Sequence, residues 1–394
     1  MENNRETDLT TDQQHREVAP STSQTASPIS LNRPAPRFVF VDGLRGLAAL
    51  GIVMFHIWWY EPEPYPTLGS EPGLIDAVFL KVRGGVQVLL VISGFVIAYT
   101  MRKTWVTPRE ISTFIGRRLI RLVPSYWVAI GFVILTDLIC RDWGDLTSPF
   151  EGQLSLARIS AHLTFLQDVT GHDPLGAGMW TICIEMQFYF VAILGWGLAQ
   201  QLFPRPVASE PRPSMLGLLV VFAPVALISL FHWRSLESTS PWVTHFLWMF
   251  FLGMLTWWTL DKTVSWIVSA TIVIIAIVEL AFNVDWQYEN TVALVTALAI
   301  FTAGCQDRLY SWLNWPWLQY LGRISYSLYL IHFPVCHLLT AVCWKWFGNS
   351  PTPAQAAAIL LASLVASLVA GHVLYRFVEA PSARWASRIK SATT

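Results

Sequence analysis

The sequence has few charged residues, and neither sign is in excess. Asp, Glu, Lys and Arg make up 13% of the 394 residues, about half the share found in ordinary soluble proteins. With 26 basic and 26 acidic side chains the formal net charge is zero, so the chain lacks the basic surplus of nucleic-acid-binding proteins. We therefore expect no nucleic-acid partner, and a chain that is not an ordinary soluble protein.

Cysteine patterns and signal-peptide features are also missing. The five cysteines form neither a CxxC pair nor a spacing typical of zinc ligands, so we expect no bound metal. The first 36 residues contain no long apolar run, which excludes a cleaved signal peptide. They are rich in Thr, Ser, Gln, Asn and Pro, and such a segment cannot bury enough apolar surface to fold. We predict a disordered cytoplasmic tail over residues 1–36.

Hydrophobic residues, in contrast, are abundant. They make up 54% of the chain, and its 20 tryptophans are typical of proteins that meet the membrane–water interface. A helix needs about 20 mostly apolar residues to cross the hydrocarbon core. We predict an all-α polytopic membrane protein with about ten transmembrane helices. The predicted spans are Val41–Tyr60, Gly84–Met101, Leu122–Cys140, Met179–Phe203, Met215–His232, Trp242–Leu260, Val264–Phe282, Thr291–Cys305, Ile324–Phe347 and Ala354–Phe377.

Lys and Arg are unevenly placed between these spans. If the N-terminus lies in the cytoplasm, 20 of the 26 basic residues fall on the inner side and six on the outer side. Cytoplasmic loops carry such an excess, so both termini are predicted to be cytoplasmic. The membrane domain then covers residues 37–382, and residues 383–394 form a short basic cytoplasmic tail. On the outer side, Leu154–Leu166 is predicted either to lie at the interface or to dip into the protein.

The first span carries two ionisable residues, which are costly in a bilayer and usually functional. Arg45 and His56 are eleven residues apart, so they share one helix face and lie about 16 Å apart along the axis. Arg45 suits a phosphate near the inner surface. His56, closer to the outer side, can take a proton from an attacking hydroxyl or carry an acyl group briefly. The structural alternatives are a snorkelling arginine and an interfacial histidine.

Charged residues also stand next to the third predicted span and inside the fourth. Arg118 and Arg121 are three residues apart, so they share a helix face at the inner surface, where Pro124 permits a break in the helix. They can bind an anionic group or anchor the helix among anionic lipid heads. Glu185 is predicted near the outer end of the fourth span, on the same side as His56. It can orient that imidazole, serve as a second proton acceptor, or hydrogen-bond within the bundle.

The last two spans carry polar and small residues at regular positions. His332 is predicted about two turns into the membrane from the inner side. It is a candidate for catalysis, or else a packing residue that bonds the carbonyl group freed by Pro334. The last span repeats alanine every four residues from Ala354 to Ala370, a small-residue stripe that lets helices approach closely.

Six short motifs follow one another along the chain. They are Asp42-Gly-Leu-Arg45 with His56; Val91-Ile-Ser93-Gly94-Phe95; Arg118 and Arg121 with a following Pro-x-Tyr-Trp; Trp180-Thr with Glu185-x-Gln187-Phe-Tyr189; Ser325-Tyr326-Ser327-Leu-Tyr329 with His332-x-Pro334; and Tyr375-Arg376-Phe-Val-Glu379-x-Pro381. In this order, from about Phe38 to Pro381, they resemble the acyltransferase-3 family of integral membrane O-acyltransferases. Many relatives have a second acidic residue where this chain has Met186, which weakens any two-carboxylate mechanism.

The resemblance implies an O-acyltransferase in a bacterial cytoplasmic membrane. Such an enzyme moves an acyl group, most often acetyl, from cytoplasmic acyl-CoA to a hydroxyl of a glycan or other acceptor at the outer side, as in polysaccharide modification. Acyl-CoA would be a co-substrate, with no permanently bound cofactor. Arg45, Arg118 and Arg121 would hold the donor phosphates, His56 would be the base and Glu185 its partner. The supporting residues taken from the motifs are Asp42, Ser93, Tyr126, Trp180, Gln187, Tyr189, Tyr326 and His332.

Two other functions use the same kinds of residue. Intramembrane His, Arg and Glu also build proton relays, so a proton-coupled exporter of a small molecule or lipid-linked sugar is the alternative. Transporters often contain internal repeats, and the two halves of this chain show no convincing similarity. A non-catalytic membrane scaffold is the third, and it would not require Arg45, His56 and Glu185. Binding of acyl-CoA distinguishes the enzyme from both.

Overall fold

The structure, a computed structural model, describes residues 37–59, 79, 81–142, 149–150, 152–204, 213–231, 242–282, 287–347 and 352–389. The predicted tail over residues 1–36 lies outside this described part, as do residues 390–394. Every extended regular element within it is helical, and an isolated β-bridge joins Pro204 and Pro213. The helices are α1 Val39–Trp59, α2 Gly85–Met101, α3 Pro108–Asp142, α4 Leu156–Leu163, α5 Met179–Leu202, α6 Met215–Phe231, α7 Val243–Leu260, α8 Trp266–Phe282, α9 Gln287–Cys305, α10 Pro316–Phe347, α11 Pro353–Leu374 and α12 Ala380–Arg388.

The long helices match the predicted membrane spans. In the described part, seven helices are long and apolar enough to cross a membrane, and α2, α6 and α8 are shorter apolar helices of 17 residues each. At 1.5 Å per residue, such a helix covers about 25 Å, slightly less than the ~30 Å hydrocarbon core. Each of these helices overlaps one predicted span. As predicted, the chain is an all-α polytopic membrane protein. The number of membrane crossings, ten, and the cytoplasmic location of both termini stay predictions.

Three helices are longer than the sequence patterns indicated. Helix α3 runs unbroken from Pro108 to Asp142 through Pro124, so the break that the proline would permit does not occur. A proline removes one backbone hydrogen bond, and a transmembrane helix tolerates the loss because neighbouring groups satisfy the freed carbonyl. Helix α10 begins eight residues before its predicted span, at Pro316, and α9 begins four residues early.

Helices α1 and α10 lie side by side, run in the same direction and share one register. Gly46 packs on Gly322, and His56 hydrogen-bonds to His332. In both pairs the residue numbers differ by 276. A Cβ atom at Gly322 would lie 2.2 Å from the carbonyl oxygen of Asp42, a clash with rigid backbone. Glycine is therefore what lets these helices approach so closely. The shared register places the histidines at the same depth.

A second close crossing joins α2 and α7. A Cβ atom at Gly94 would lie 1.9 Å from the carbonyl oxygen of Phe250, and one at Gly253 would lie 1.9 Å from that of Val91. The two backbones therefore touch without side chains between them, as in small-residue crossings of other membrane helices. Phe250 also stacks on Phe188 of α5, with ring centroids 3.8 Å apart. The crossing fixes α2 next to α5 at the centre of the bundle.

The face that α11 presents to the bundle is not the predicted alanine stripe. Ala358 and Ala362 are exposed, whereas Ser363 and Ser367 are fully buried. The Oγ atom of Ser367 lies 3.2 Å from Sγ of Cys336 on α10. Both stripes have a four-residue period and are offset by one residue, so the period alone did not decide which of them faces inward.

The segment between α3 and α5, predicted either to lie at the interface or to dip into the protein, is partly buried. Helix α4 starts after Ser155, whose hydroxyl accepts a hydrogen bond from the backbone N–H of Arg158. The guanidinium of Arg158 donates to the carbonyl oxygens of Asp173 at 3.1 Å and Pro174 at 3.2 Å. His162, one turn further along, is fully buried. The segment is therefore held together by polar contacts of its own.

A π-helical turn and a short helix follow α11. The turn, Tyr375–Glu379, directs Glu379 into the interior, where its carboxylate accepts hydrogen bonds from the backbone N–H and hydroxyl of Ser327 at 3.2 and 2.6 Å. Such turns are frequent at functional sites. Helix α12 packs on α3, and Arg117 donates from Nε and Nη2 to the carbonyl oxygen of Ile389. The predicted basic tail is thus helical over residues 383–388.

Candidate active site

Helices α1, α2, α3, α5 and α10 line a partly open cavity. The three predicted donor-binding arginines and Glu185 all line it, so the structure brings together residues from three separate spans. The polar side chains around the cavity are Arg45, Ser93, Arg118, Arg121, Thr181, Glu185, Tyr189, Ser325, Tyr326 and Tyr329.

The arginines give this cavity its charge. Among the described residues, no carboxylate oxygen lies within 4.0 Å of the guanidinium groups of Arg45, Arg118 or Arg121. Arg118 lies over the ring of Tyr189, 4.9 Å from its centre. The Nε atom of Arg121 is buried, and no described atom hydrogen-bonds to it. Because buried charges and donors need partners, the cavity suits an anionic ligand such as a phosphate group.

Glu185 faces the same cavity from α5. Its Oε1 atom accepts a hydrogen bond from Oγ of Ser93 at 3.4 Å and another from the hydroxyl of Tyr189, one turn further along the helix. These two hydroxyls orient the carboxylate. The sequence predicted Glu185 at the outer side as a partner of His56. In the structure Glu185 lines the same cavity as the arginines. Among the described hydrogen bonds, His56 pairs with the side chain of His332.

His56 and His332 form a hydrogen-bonded pair next to this cavity. Nε2 of His332 lies 3.0 Å from Nδ1 of His56, and Nδ1 of His332 lies 3.2 Å from the carbonyl oxygen of Leu328. A carbonyl oxygen can only accept, so Nδ1 of His332 carries its proton and Nε2 is an acceptor. Nδ1–H of His56 then donates to it, which puts the lone pair of His56 on Nε2. We assign these tautomers from the hydrogen-bond geometry.

His332 lies deeper in the bundle than the sequence indicated. Because α10 begins at Pro316, His332 is 16 residues from its start, or about 24 Å along the axis, level with His56. The hydrogen bond predicted for a packing role is not the one observed. The carbonyl freed by Pro334 lies four residues before the proline, whereas His332 bonds the carbonyl of Leu328. His332 therefore remains a candidate for the chemistry itself.

The predicted supporting residues divide into two groups. Ser93, Tyr189 and Tyr326 line the cavity, and Tyr326 donates a 2.9 Å hydrogen bond to the carbonyl oxygen of Leu122 on α3. The others occupy positions around it. Asp42 lies at the α1–α10 contact, and His332 pairs with His56. The ring of Tyr126 stacks on that of Phe165 with centroids 4.7 Å apart, and the ring of Trp180 lies 5.6 Å from that of Phe246. The side chain of Gln187 accepts a 3.0 Å hydrogen bond from the N–H of Val243.

The structure adds site residues that the sequence patterns did not single out. Thr181 and Tyr329 line the cavity, and their hydroxyl oxygens lie 2.6 Å apart. Glu379 is buried close enough to Arg45 and Arg121 to act on both electrostatically. All three residues stand within the motifs quoted above, which were the available signal. The directions of their side chains depend on how the helices pack, and no motif contains that information.

Comparisons with known proteins identify relatives of one kind. The acyltransferase domain family matches residues 38–372. A protein of Komagataeibacter xylinus named as a membrane-bound transacylase, BcsY, is 27% identical over 311 residues, which cover 75% of this chain and 72% of that one. The peptidoglycan O-acetyltransferase OatA of Listeria monocytogenes is 22% identical over 369 residues, and a protein of Staphylococcus aureus named as an O-acetyltransferase is 21% identical over 378.

The alignments with the Listeria and Staphylococcus proteins each cover 86% of this chain. They cover 55% and 56% of those relatives, so this chain spans about half of their length. No solved structure shows a significant match.

Proposed function

The chain belongs to the acyltransferase-3 family of integral membrane acyltransferases, and on that premise we propose that it transfers an acyl group, acetyl in the first place, from acyl-CoA to a hydroxyl of a glycan. The donor enters from the cytoplasm into the cavity lined by Arg45, Arg118 and Arg121, which we call the arginine cavity. The acceptor approaches His56 from the outer side of the membrane. The membrane location and the class of enzyme are those that the sequence predicted.

The observation that carries this proposal is the cluster of arginines next to the histidine pair. Arg45, Arg118 and Arg121 line one cavity, and no described carboxylate lies within 4.0 Å of them. CoA is a matching ligand because it carries phosphates at one end and a thioester at the other. Arg45 and His56 stand about 16 Å apart on α1, a span that an extended pantetheine arm bridges.

His56 acts as the general base in the proposed reaction. Its Nε2 lone pair takes the proton of the acceptor hydroxyl while that oxygen attacks the thioester carbonyl. The C–S bond breaks, an ester bond forms, and the proton passes to the leaving thiolate to give free CoA. His332 accepts Nδ1–H and so stabilises the imidazolium that forms. The same lone pair also allows an acyl-imidazole intermediate, which mass spectrometry of the protein incubated with acetyl-CoA alone would detect.

The acceptor class is supported by the relatives. One of them is named a peptidoglycan O-acetyltransferase. Peptidoglycan is a glycan polymer built outside the cytoplasmic membrane, so a hydroxyl on its sugars is accessible only from that side. We extend this to the present chain as a glycan acceptor reached from the outer side.

The test compares His56→Ala with a matched histidine variant, His245→Ala, which changes a residue at the start of α7 outside the cavity. The purified full chain in lipid nanodiscs should bind acetyl-CoA, and so should both variants. In a deletion strain, wild type and His245→Ala should restore O-acetylation of surface glycans, whereas His56→Ala should not. Normal acetylation by His56→Ala would refute the role of that residue. Failure of the wild type to bind CoA would reject the donor and favour the exporter.

A further inference from the structure

Tyr329 adjoins both the arginine cavity and the histidine pair. Its side chain lines the cavity, and its ring centre lies 6.0 Å from that of His332. The ring of His332 is in turn 5.0 Å from that of His56. The described lining of the cavity includes Tyr329 and not the two histidines. The thioester of a donor whose phosphates bind the arginines would pass the ring of Tyr329 on its way to Nε2 of His56.

A short chain of hydrogen bonds fixes this ring. The hydroxyl of Thr181 donates to the carbonyl oxygen of Gly178 at 2.9 Å, which uses its single proton. The hydroxyl of Tyr329, 2.6 Å from Oγ1 of Thr181, is therefore the donor in that pair. The phenol proton points at Thr181, so the ring is held in one orientation from α5.

Backbone closes on the ring at its edge. A Cβ atom at Gly178 would lie 2.7 Å from Cε1 of Tyr329, so the start of α5 is in direct contact with the phenol. Tyr329 is 4% exposed and Thr181 is 7% exposed. The ring is thus enclosed by protein, and interiors packed at this density leave little room for a side chain to move aside.

From this geometry we propose that Thr181 and Tyr329 form a gate that limits the size of the acyl group reaching His56. The proposal rests on the proposed function, with the donor in the arginine cavity and His56 as base. The gate opens when the hydrogen bond between the two hydroxyls breaks and the phenol turns. An acetyl group needs only this small rotation. A six-carbon chain requires the ring to leave its contact with Gly178, so the site selects short acyl donors.

Two conservative variants release the gate in different ways. Thr181→Ala removes the acceptor of the phenol hydrogen bond, and Tyr329→Phe removes the donor while it keeps the ring. Tyr320→Phe is the matched control, because it removes a tyrosine hydroxyl of the same helix that contacts His372 outside the cavity. Calorimetry on the full chain in nanodiscs, with empty nanodiscs as blank, measures the affinities for free CoA, acetyl-CoA and hexanoyl-CoA.

Wild type and Tyr320→Phe should bind hexanoyl-CoA at least about tenfold more weakly than acetyl-CoA, since pocket walls discriminate by such factors per methylene. Both gate variants should reduce this ratio below about threefold. A ratio that stays at the wild-type value in both variants, or a wild type with no preference, would overturn the gate alone. If the wild type bound no CoA of any kind, the proposed function would fail and the gate with it.

Discussion

Nε2 of His332 lies 3.0 Å from Nδ1 of His56, although the two residues stand 276 positions apart on the first and ninth predicted spans. The contact depends on α1 and α10 running parallel in one register, which Gly46 and Gly322 permit by their close approach. The contact orients the His56 imidazole and favours the tautomer that carries its proton on Nδ1. In the proposed reaction His332 is a positioning residue, comparable in role to the third member of a hydrolase triad.

We expect His332→Ala to lower the rate of acetyl transfer by about a hundredfold, at the lower end of general-base effects. The variant loses the side chain that accepts Nδ1–H of His56, so the imidazole is held less firmly in its productive tautomer and orientation. Donor affinity should not change, because the arginine cavity is untouched. The measurement is steady-state transfer together with calorimetric binding of CoA.

His332→Gln provides the control for this variant. A glutamine side-chain oxygen can accept Nδ1–H, so His332→Gln should recover part of the rate that His332→Ala loses. A purely packing role would instead make the two variants equally defective, and would lower the thermal unfolding midpoint in both. That pattern would refute a positioning role for His332.

Arg118→Gln and Arg121→Gln should each weaken CoA binding by about tenfold or more, since a hydrogen bond to a charged group contributes roughly 1.5–3 kcal/mol. Arg117→Gln is the matched control. That residue adjoins Arg118 in sequence, yet its guanidinium donates to the carbonyl of Ile389 and not into the cavity. Equal loss in all three variants would mean that the arginines act through general surface charge. Affinities at two salt concentrations would identify that case.

The sequence predicted the helices and singled out the charged residues that line the cavity. Apolar length and the cost of burying charge are local properties, so the spans and Arg45, Arg118, Arg121 and Glu185 were identifiable one segment at a time. The relative depth of residues on different helices could not be predicted from single segments. Arg118 lies ten residues into α3, about 15 Å from its start, and Glu185 lies six residues into α5, about 9 Å from its start.

Helix starts decided these depths. The first turns of α10 are polar and aromatic and resemble a loop, so the span was predicted to begin at Ile324 and His332 was placed near the inner side. The structure begins that helix at Pro316. Side-chain partners were also unpredictable, because the Thr181–Tyr329 and Ser327–Glu379 contacts join helices whose rotation about their axes is set only by packing.

The segment before α5 should make stability fall in mild acid. Burial lowers the pKa of His162 to about 4. The N–H of Leu175 donates to its Nε2 at 3.1 Å, and its Nδ1 lies 2.9 Å from the carbonyl oxygen of Arg158, so the neutral ring is the one that fits. An unfolded histidine titrates near 6.5. Between these values the unfolded state binds more protons, so stability is complete above pH 6.5 and declines toward pH 4.

The full effect is about 3 kcal/mol, since one pKa unit corresponds to about 1.4 kcal/mol. Thermal unfolding midpoints in detergent, measured from pH 7.5 to pH 4.5, should fall less steeply for His162→Gln than for wild type. His172→Gln, a less buried histidine of the same segment, should keep the wild-type slope. If His162→Gln also kept that slope, the segment would not be the acid-sensitive element.

Glu379→Gln should strengthen CoA binding by a few-fold. The carboxylate is buried near Arg45 and Arg121 and offsets part of their charge, while its hydrogen bonds go to Ser327. Glutamine keeps a hydrogen-bond acceptor and removes the negative charge, so the cavity becomes a better site for phosphate. Calorimetry with CoA measures the change, and Ser327→Ala separates the hydrogen bond from the charge. Weaker CoA binding by Glu379→Gln would show that the charge aligns the arginines instead.

The crossing of α2 and α7 should be the most sensitive packing contact among the described helices. Gly94→Ala and Gly253→Ala each place a Cβ atom 1.9 Å from a backbone carbonyl oxygen, which cannot rotate away. The helices must separate, so each variant should lose ~3 kcal/mol of stability, at the upper end of overpacking effects. Gly131→Ala on α3 is the control, because no atom lies within 4 Å of its added Cβ. The thermal unfolding midpoint of Gly131→Ala should equal that of the wild type, and those of Gly94→Ala and Gly253→Ala should be lower. Equal midpoints in the wild type and all three variants would contradict the backbone contact.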